Sequence, residues 1–186
     1  LGHIHKPTPL EAPIDGKVIY VGSPHGLDVS ETGPRRFLTY DLESGRLEER
    51  KVRTSALFLQ EKFFVFPTDD EATPLLAEIA KRIEDWGLDP EERATVRVRA
   101  HAHGRSRNLP AVKEALIRGF SEAGIRFYKD EEPKLDKLAP AVDDQQRDAL
   151  ARLALEELDQ LDFPFGGEEP SFDEVRLVVL ETIYGN

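Results

Sequence analysis

The sequence predicts an α+β protein in three parts, each with its own hydrophobic pattern. The first 66 residues hold short apolar or alternating runs typical of β-strands, and residues 67–129 alternate strands with helices. Residues 143–186 show two amphipathic helical periods, and the charged residues 130–142 before them, with no apolar period, indicate a linker. We expect the edge of a larger sheet system, then a compact α/β module, then a helical pair.

The first part is read from strand and turn signals. Residues 37–42 and 46–53 flank Glu43-Ser44-Gly45, which is typical of a hairpin with a short loop. Residues 56–59 and 63–66 are continuously apolar and are therefore expected to be buried. A further apolar run, 17–21, is closed by Gly22-Ser23-Pro24.

The second part follows from helix caps and period changes. Thr73-Pro74 predicts the start of a helix that Gly87 ends, and Asn108 predicts the cap of another that Gly124 ends. Residues 95–102 alternate strictly, which predicts a strand between the two helices. Residues 125–128 then predict a closing strand, so the order is that of a small α/β module.

The third part consists of two helices, 143–161 and a second that a Ser171–Glu174 capping box opens and that runs to Tyr184. The expected apolar stripes are Leu150, Leu153, Ala154, Leu158 and Leu161 on the first helix, and Phe172, Val175, Val179 and Ile183 on the second. These stripes require a covering surface, which is either the body of the chain or a partner protein.

Composition restricts the class of protein. The 186 residues carry a formal charge of −11 and no Cys, and no run approaches the roughly 20 apolar residues of a membrane span. We therefore expect a soluble protein without disulfides, compatible with the cytoplasm. The charge is uneven: residues 143–186 hold twelve acidic and three basic residues, whereas 93–113 hold no acid. A local basic face, rather than the total charge, decides whether a polyanion can bind.

The chain opens with Gly2-His3-Ile4-His5. In an extended segment, His3 and His5 project to the same side about 7 Å apart, so each could ligate one of two metal ions spaced about 3.5–4 Å. A cloning scar or a solvent-exposed pair explains the tetrapeptide equally well. His25 and Asp28, in the loop after Pro24, could approach such a centre, although locally satisfied turn residues are the simpler interpretation.

Several segments together resemble the calcineurin-like metallophosphoesterases, and among them the SbcD-type DNA double-strand-break repair exonucleases. The matching segments are Gly2-His3-Ile4-His5-Lys6-Pro7, Tyr20-Val21-Gly22-Ser23-Pro24, Leu27-Asp28-Val29-Ser30-Glu31 and Gly33-Pro34-Arg35-Arg36-Phe37. The resemblance implies that residues 1–66 are the C-terminal edge of the phosphoesterase β-sandwich and that 67–129 form a DNA-binding capping module. It implies that 143–186 bind a partner ATPase and that His3 and His5 are manganese ligands.

The resemblance also implies what is missing. The family's other metal ligands lie in upstream motifs of the types DxH, GD and GNHD, which do not occur here. We interpret the chain, which has no Met, as the C-terminal portion of a longer protein that holds two Mn²⁺ and hydrolyses DNA phosphodiesters. This chain alone is expected to be inactive. The implied partners are DNA, an SbcC-like ATPase and, as an option, a second copy of the parent nuclease.

The strand within the acid-free window supplies the candidate DNA contacts. Alternation puts its apolar residues on one face and its cations on the other; the candidates are Arg97, Arg99, His101 and His103, followed by Arg105 and Arg107. Such a row favours sequence-independent contact with phosphates. A solvated sheet face is the alternative, and a metal site at His101 and His103 is a third option. At the level of the protein, the alternatives are a non-catalytic module that binds DNA and a partner, and a phosphoesterase acting on nucleotides.

Overall fold

The computed structural model describes residues 19–140, 144–161 and 172–184, with the side chains of Asp173 and Glu174 left aside. This described part contains six strands and five α-helices and is of the mixed α+β class, as the sequence predicts. None of the helices within these ranges is long and apolar enough to cross a membrane.

The elements follow one another in an order close to the predicted one. The strands are β1 (Arg35–Tyr40), β2 (Leu47–Val52), β3 (Leu57–Val65), β4 (Val96–Ser106), β5 (Arg126–Phe127) and β6 (Lys134–Pro140). The helices are α1 (Ala72–Asp85), α2 (Pro90–Thr95), α3 (Leu109–Glu122), α4 (Gln145–Gln160) and α5 (Phe172–Tyr184), with a 3-10 turn at Tyr128–Asp130.

The chain divides into two compact units. The first comprises the residues up to Glu61 together with Trp86–Arg99 and Phe120–Glu131. The second comprises Lys62–Asp85, Ala100–Gly119 and Glu132–Asn186. The division falls within β3, β4 and α3, and each unit is described below by its own contacts.

Strands β1 and β2 form the predicted hairpin in the first unit. They pair antiparallel, with Arg35 opposite Val52 and Tyr40 opposite Leu47. In the loop, Asp41 Oδ1 accepts hydrogen bonds from the backbone N–H groups of Glu43 (3.0 Å) and Ser44 (2.7 Å). These bonds, with the Ser44 hydroxyl, lower the pKa of Asp41 because they stabilise its ionised form.

The second sheet has four strands, and β4 pairs with the other three. The order is β3-β4-β5, and β6 also pairs with β4. Both β5 and β6 run parallel to β4. β5 pairs with Arg97 and Val98 near the start of β4, and β6 pairs with the segment from His101 to Ser106, with a register shift between His101 and His103. The sequence places β3 in the preceding sandwich part, but the structure includes it in the same sheet as β4.

Both predicted helices of the α/β module are present as α1 and α3. Asn108 caps α3 as expected, since its Oδ1 accepts the backbone N–H of Ala111 at 3.1 Å. In the second unit, Gly119 of α3 lies against the fully buried Ile79 of α1, and a Cβ there would lie 2.9 Å from the Ile79 Cδ1. The absence of a side chain at Gly119 therefore permits close packing of these two helices.

Glu71 connects the starts of the same two helices. This buried carboxylate precedes α1 and accepts hydrogen bonds from the Ser106 hydroxyl and from the backbone N–H of Arg107, both just before α3. It thereby satisfies donors that would otherwise be left unpaired at the beginning of α3. One side chain thus fixes the end of β4, the beginning of α3 and the beginning of α1.

Three further segments differ from what the sequence predicts. Residues 134–140, expected within a linker, form β6, an element that adds backbone hydrogen bonds to β4 and places its proline at the strand end, where no ladder bond is lost. Residues 90–95 form the unpredicted helix α2, capped by reciprocal bonds of Asp89 and Glu92. Residues 19–21, the described part of a predicted strand, are not in a strand.

The predicted helical pair is present, but its buried face is turned relative to the prediction. The buried residues are Ala151 and Leu155 on α4 and Leu180 and Tyr184 on α5, packed in the second unit against Phe64 and Phe66 together with Leu158, Val179 and Ile183. Leu150, Leu153 and Leu161, which the sequence places on the stripe, are exposed. Ser171 lies outside the described residues, as does the side chain of Glu174, so the capping box there stays a prediction.

The tightest backbone approach in the second unit is at Gly104 of β4. Its φ is +106°, and a Cβ there would overlap the carbonyl oxygen of Val65. Gly33, in the first unit, also has a positive φ of +88°, yet nothing lies within 4 Å of its hypothetical Cβ. Both positions thus have a backbone conformation that favours glycine, but a side chain would collide with a neighbouring atom at Gly104 and not at Gly33.

We expect Gly104→Ala to lower the free energy of unfolding by about 3 kcal/mol or more, because the overlap adds to the cost of the left-handed backbone. Gly33→Ala is the matched control and should cost only the conformational part, about 1–2 kcal/mol. Denaturant unfolding followed by circular dichroism measures both. Equal losses in the two variants would contradict the steric argument.

Candidate nucleic-acid interface

Strand β4 separates apolar from polar residues as the sequence predicts. Val96, Val98, Ala100 and Ala102 are at most 1 % exposed and form one face of the strand. Between them Arg97, Arg99 and His101 are half-buried. The alternation of burial ends at His103, which follows the buried Ala102 and is itself buried.

Arg97 and Arg99, in the first unit, differ in the groups that their guanidiniums contact. The Arg97 Nη1 donates to the carbonyl oxygens of Ala94 (3.3 Å) and Val96 (2.8 Å), which are neutral acceptors. Arg99 forms an ion pair with Glu131 (Nη2–Oε2, 3.2 Å) and stacks on the ring of Tyr128, 4.9 Å from its centroid. Arg97 thus keeps a full positive charge, whereas Arg99 is largely neutralised.

His103, in the second unit, is buried without a hydrogen-bond partner for either ring nitrogen among the described residues. Its ring lies 5.7 Å from that of Phe64 and 6.3 Å from that of His101. Burial lowers the pKa of His103, because the charged imidazolium loses its hydration; the positive potentials of His101, Lys62 and Lys137 act in the same direction, and Asp136 opposes them. The side chain is therefore neutral at pH 7 and does not add to a cationic row.

Arg105 and Arg107, also in the second unit, have protein partners. The Arg105 guanidinium lies 4.3 Å from the ring centroid of Tyr184, and its Nη2 donates to the Tyr184 carbonyl at 3.5 Å. Arg107 is exposed and pairs with Asp69 (Nη1–Oδ1, 3.0 Å). Arg105 therefore helps to hold α5, a structural role that the sequence did not indicate.

Basic residues of the acid-free window, residues 93–113, form ion pairs with acidic residues from distant segments. Glu131 neutralises Arg99, Asp69 neutralises Arg107, and Glu132 binds Lys113 at the end of the window. Local composition could not show this, since the partners are 19–38 residues away in the chain. Among the described residues, Arg97 and Arg105 are the predicted arginine contacts without a carboxylate partner; Arg105 is held by the ring and carbonyl of Tyr184, and Arg97 by two backbone carbonyl groups.

Two further exposed cations of the first unit were missed. Arg126 of β5 is the Cα partner of Arg97, and Lys129 lies in the following 3-10 turn with its ammonium 5.1 Å from the Tyr128 ring centroid. Both side chains belong to the first unit and are exposed. The sequence predicts a strand at residues 125–128, just after Gly124, so its pairing with the strand that carries Arg97 was the available signal. Which residue lies opposite Arg97, however, depends on the register of that pairing.

The metal candidates have different outcomes. His3 and His5 lie outside the described residues, so their role stays a prediction. Across residues 19–140, 144–161 and 172–184, no group of three or more His, Cys, Asp or Glu side chains is placed to hold a metal ion. Among these residues His101 and His103 are not part of such a group, and the described residues alone do not fit a manganese centre.

The loop after Pro24 is organised by its own contacts. Asp28 Oδ1 accepts the backbone N–H of Ser30 at 2.9 Å, and Oδ2 accepts the Tyr128 hydroxyl at 3.3 Å. The bonds from Ser30 in particular lower the pKa of Asp28. Val29 is fully buried against Phe58 and Tyr128. This agrees with a carboxylate satisfied within its turn; His25 is exposed in the same loop.

The second unit contains a cleft of about 720 Å³. Phe64, Phe66 and Leu155 contribute to its apolar part. Its charged lining residues are of both signs: Glu71, Glu78, Lys81, Arg82, Asp85, Arg152, Glu156, Asp159 and Arg176. Because acids and bases are balanced around it, this cleft does not favour a polyanion.

No protein-family model, curated protein or solved structure matches the chain. The resemblance carried by the first 37 residues is therefore not supported by an independent likeness, and the function rests on the residues and on the geometry above.

The buried neutral His103 predicts a dependence of stability on pH. The unfolded state, with an ordinary imidazole pKa near 6.5, binds a proton at a higher pH than the folded state does. Stability is therefore fully present above about pH 6.5 and falls as the pH drops below that value, by at most about 1.4 kcal/mol per pH unit.

We expect His103→Phe to reduce this loss, measured by urea unfolding between about pH 7.5 and 5.5. His101→Phe, at a half-buried position of the same strand, is the control and should retain most of the dependence on pH. If His103→Phe and the unmodified protein lose stability in parallel, the imidazole is not the titrating group.

Proposed function

We propose that the chain is the C-terminal portion of an SbcD-like, manganese-dependent DNA nuclease subunit acting in double-strand-break repair. The residues that support this are Gly2-His3-Ile4-His5 and the segments that follow it to Phe37. The two Mn²⁺ ions, held in part by His3 and His5, would supply an activated water for attack on a phosphodiester. The proposal includes a cytoplasmic location, because its substrate would be chromosomal DNA.

One structural observation supports contact with DNA: the uncompensated guanidinium of Arg97 on the polar face of β4. A cation that no carboxylate neutralises can release counterions from DNA, which is the main source of sequence-independent affinity. Arg99, His101, His103, Arg105 and Arg107 have internal partners or are buried, so their expected contributions are smaller. The proposed DNA-contacting region is thus narrower than the whole strand.

A second surface supports the proposed partner. Leu150 and Leu153 of α4, and Leu161 directly after it, are 54–60 % exposed, although the opposite face of the helix is packed against Phe64 and Phe66. The helical segment also carries a large excess of acid, which disfavours DNA as its ligand. A protein with an apolar groove and basic surroundings fits this face, as proposed for an SbcC-like ATPase.

The main alternative is a non-catalytic module that binds DNA and a partner. The same cation and the same leucines would support it, so these surfaces do not separate it from the first proposal. A phosphoesterase acting on nucleotides has less support, since it requires neither the cation on β4 nor exposed leucines on α4. A second copy of the parent nuclease stays an untested partner.

The nuclease proposal predicts that the full-length protein cleaves linear duplex DNA only with Mn²⁺. His3→Ala or His5→Ala should lower the rate about 100-fold or more, because a bound metal ion contributes several kcal/mol to the transition state. The present chain alone should not cleave, since the DxH, GD and GNHD motifs that the resemblance implies for the other metal ligands do not occur in it. His25→Ala is the control and should retain activity. Full activity of both His variants would exclude the metal role of His3 and His5, whereas absence of cleavage by the unmodified full-length protein would favour the non-catalytic binding module.

The partner proposal predicts that Leu150→Glu/Leu153→Glu abolishes copurification with the SbcC-like ATPase. Both side chains are exposed, so the melting temperature should change little. Gln145→Glu/Ala149→Glu adds the same charge at exposed positions of α4 and should leave association intact. Undiminished association of the leucine variant would show that this face is not the contact.

A further inference from the structure

Strands β4 and β5 place two arginines directly opposite each other. Arg97 and Arg126 are Cα partners in the parallel pairing, and the next pair, Val98 and Phe127, lies on the other face. Neighbouring strands are about 4.8 Å apart, and paired residues project to the same side. The two guanidinium groups therefore stand on one face of the first unit, on adjacent strands.

Neither charge of this pair is neutralised within the described part of the chain. Arg97 donates only to the carbonyl groups of Ala94 and Val96, and Arg126 is exposed and has no carboxylate within 4.0 Å among the described residues. Like charges directly opposite each other destabilise a sheet, and a guanidinium cannot release its proton to relieve this. Two facing arginines thus lower the stability of the fold unless an anion lies between them.

The turn that follows β5 carries a second cost. Lys129 and Asp130 have φ values of +54° and +56°, a left-handed backbone that Gly, Asn and Asp tolerate but that a lysine adopts at an energetic expense. This conformation places the Lys129 ammonium over the Tyr128 ring, on the same short segment as Arg126. A glycine at position 129 would avoid the strain but would remove the charge.

We propose that Arg97, Arg126 and Lys129 form a binding site for a phosphate group of the DNA backbone. The identity of the ligand as DNA rests on the proposed function. The site adds residues of β5 and of the strained turn to the DNA contact proposed for β4. A phosphodiester oxygen between the two guanidiniums would convert their repulsion into two charge-assisted hydrogen bonds. Asp130, exposed in the same turn, lowers the local positive charge and is expected to weaken binding.

The experiment measures binding of a fluorescent duplex DNA to the full chain by anisotropy at several salt concentrations. Arg97→Ala/Arg126→Ala should weaken binding about tenfold or more and reduce the slope of log K against log salt by about 1. Its melting temperature should be unchanged or higher, because a repulsion is removed. Asp130→Asn, which keeps a residue that tolerates the left-handed backbone, should tighten binding.

Lys81→Ala/Arg118→Ala is the matched control. It removes two exposed cations from the second unit, so the net charge changes by the same amount while the proposed site is intact. An equal loss of affinity in both double variants would show that only net charge matters and would overturn the site. Absence of any DNA binding by the chain would overturn it as well.

Lys129→Gly tests the strained turn separately. We expect weaker DNA binding together with an unchanged or higher melting temperature, a combination that a purely structural lysine would not produce. Weaker binding accompanied by a clear loss of stability would argue against the site. Failure of the proposed function is distinguishable: a full-length protein without nuclease activity, whose chain still binds DNA through these residues, would refute the nuclease and retain the site.

Discussion

The pairing of β4 with three other strands is the constraint on which the rest of the structure depends. Its buried face is made of Val and Ala side chains, and its backbone bonds are shared with β3, with β5 near its start and with β6 towards its end. Small residues suit a strand that other elements approach closely, and Gly104, against the Val65 carbonyl, is the extreme case. Because this strand also carries the cations, its pairing decides which charges face solvent and which face protein.

Much of the fold could be predicted because periodicity and caps are local properties. The hairpin, α1, the cap of α3 and the alternation of β4 all depend on residues close in sequence. α2 was missed although Asp89, Pro90 and Glu92 carry its signal locally. β6 is different: only Leu138 in it is buried, so an edge strand of this kind has hardly any apolar pattern, and its existence depends on pairing with β4.

The candidate site could be predicted only in part, because charge neutralisation is not local. The strict alternation of residues 95–102 correctly predicted a strand with a polar face, yet Glu131 and Asp69 reach Arg99 and Arg107 from elsewhere in the chain. The buried faces of α4 and α5 differ from the predicted apolar stripes for a related reason, since burial also depends on residues distant in sequence. Both Leu150 and Leu155 of α4 are apolar, and only the position of Phe64 and Phe66 determines which of them is buried.

The buried carboxylate of Glu71 has a consequence for how the second unit opens. The amide hydrogens of Arg107 and Asn108 precede the first turn of α3, where such groups normally exchange readily with water. Here the Arg107 nitrogen lies 2.7 Å from Glu71 Oε1, whereas the Asn108 nitrogen lies 2.9 Å from the Ser106 Oγ and 3.4 Å from Glu71 Oε2. In a hydrogen-exchange experiment the Arg107 amide is therefore expected to report the separation of the start of α1 from the start of α3, while the Asn108 amide keeps a local acceptor in Ser106.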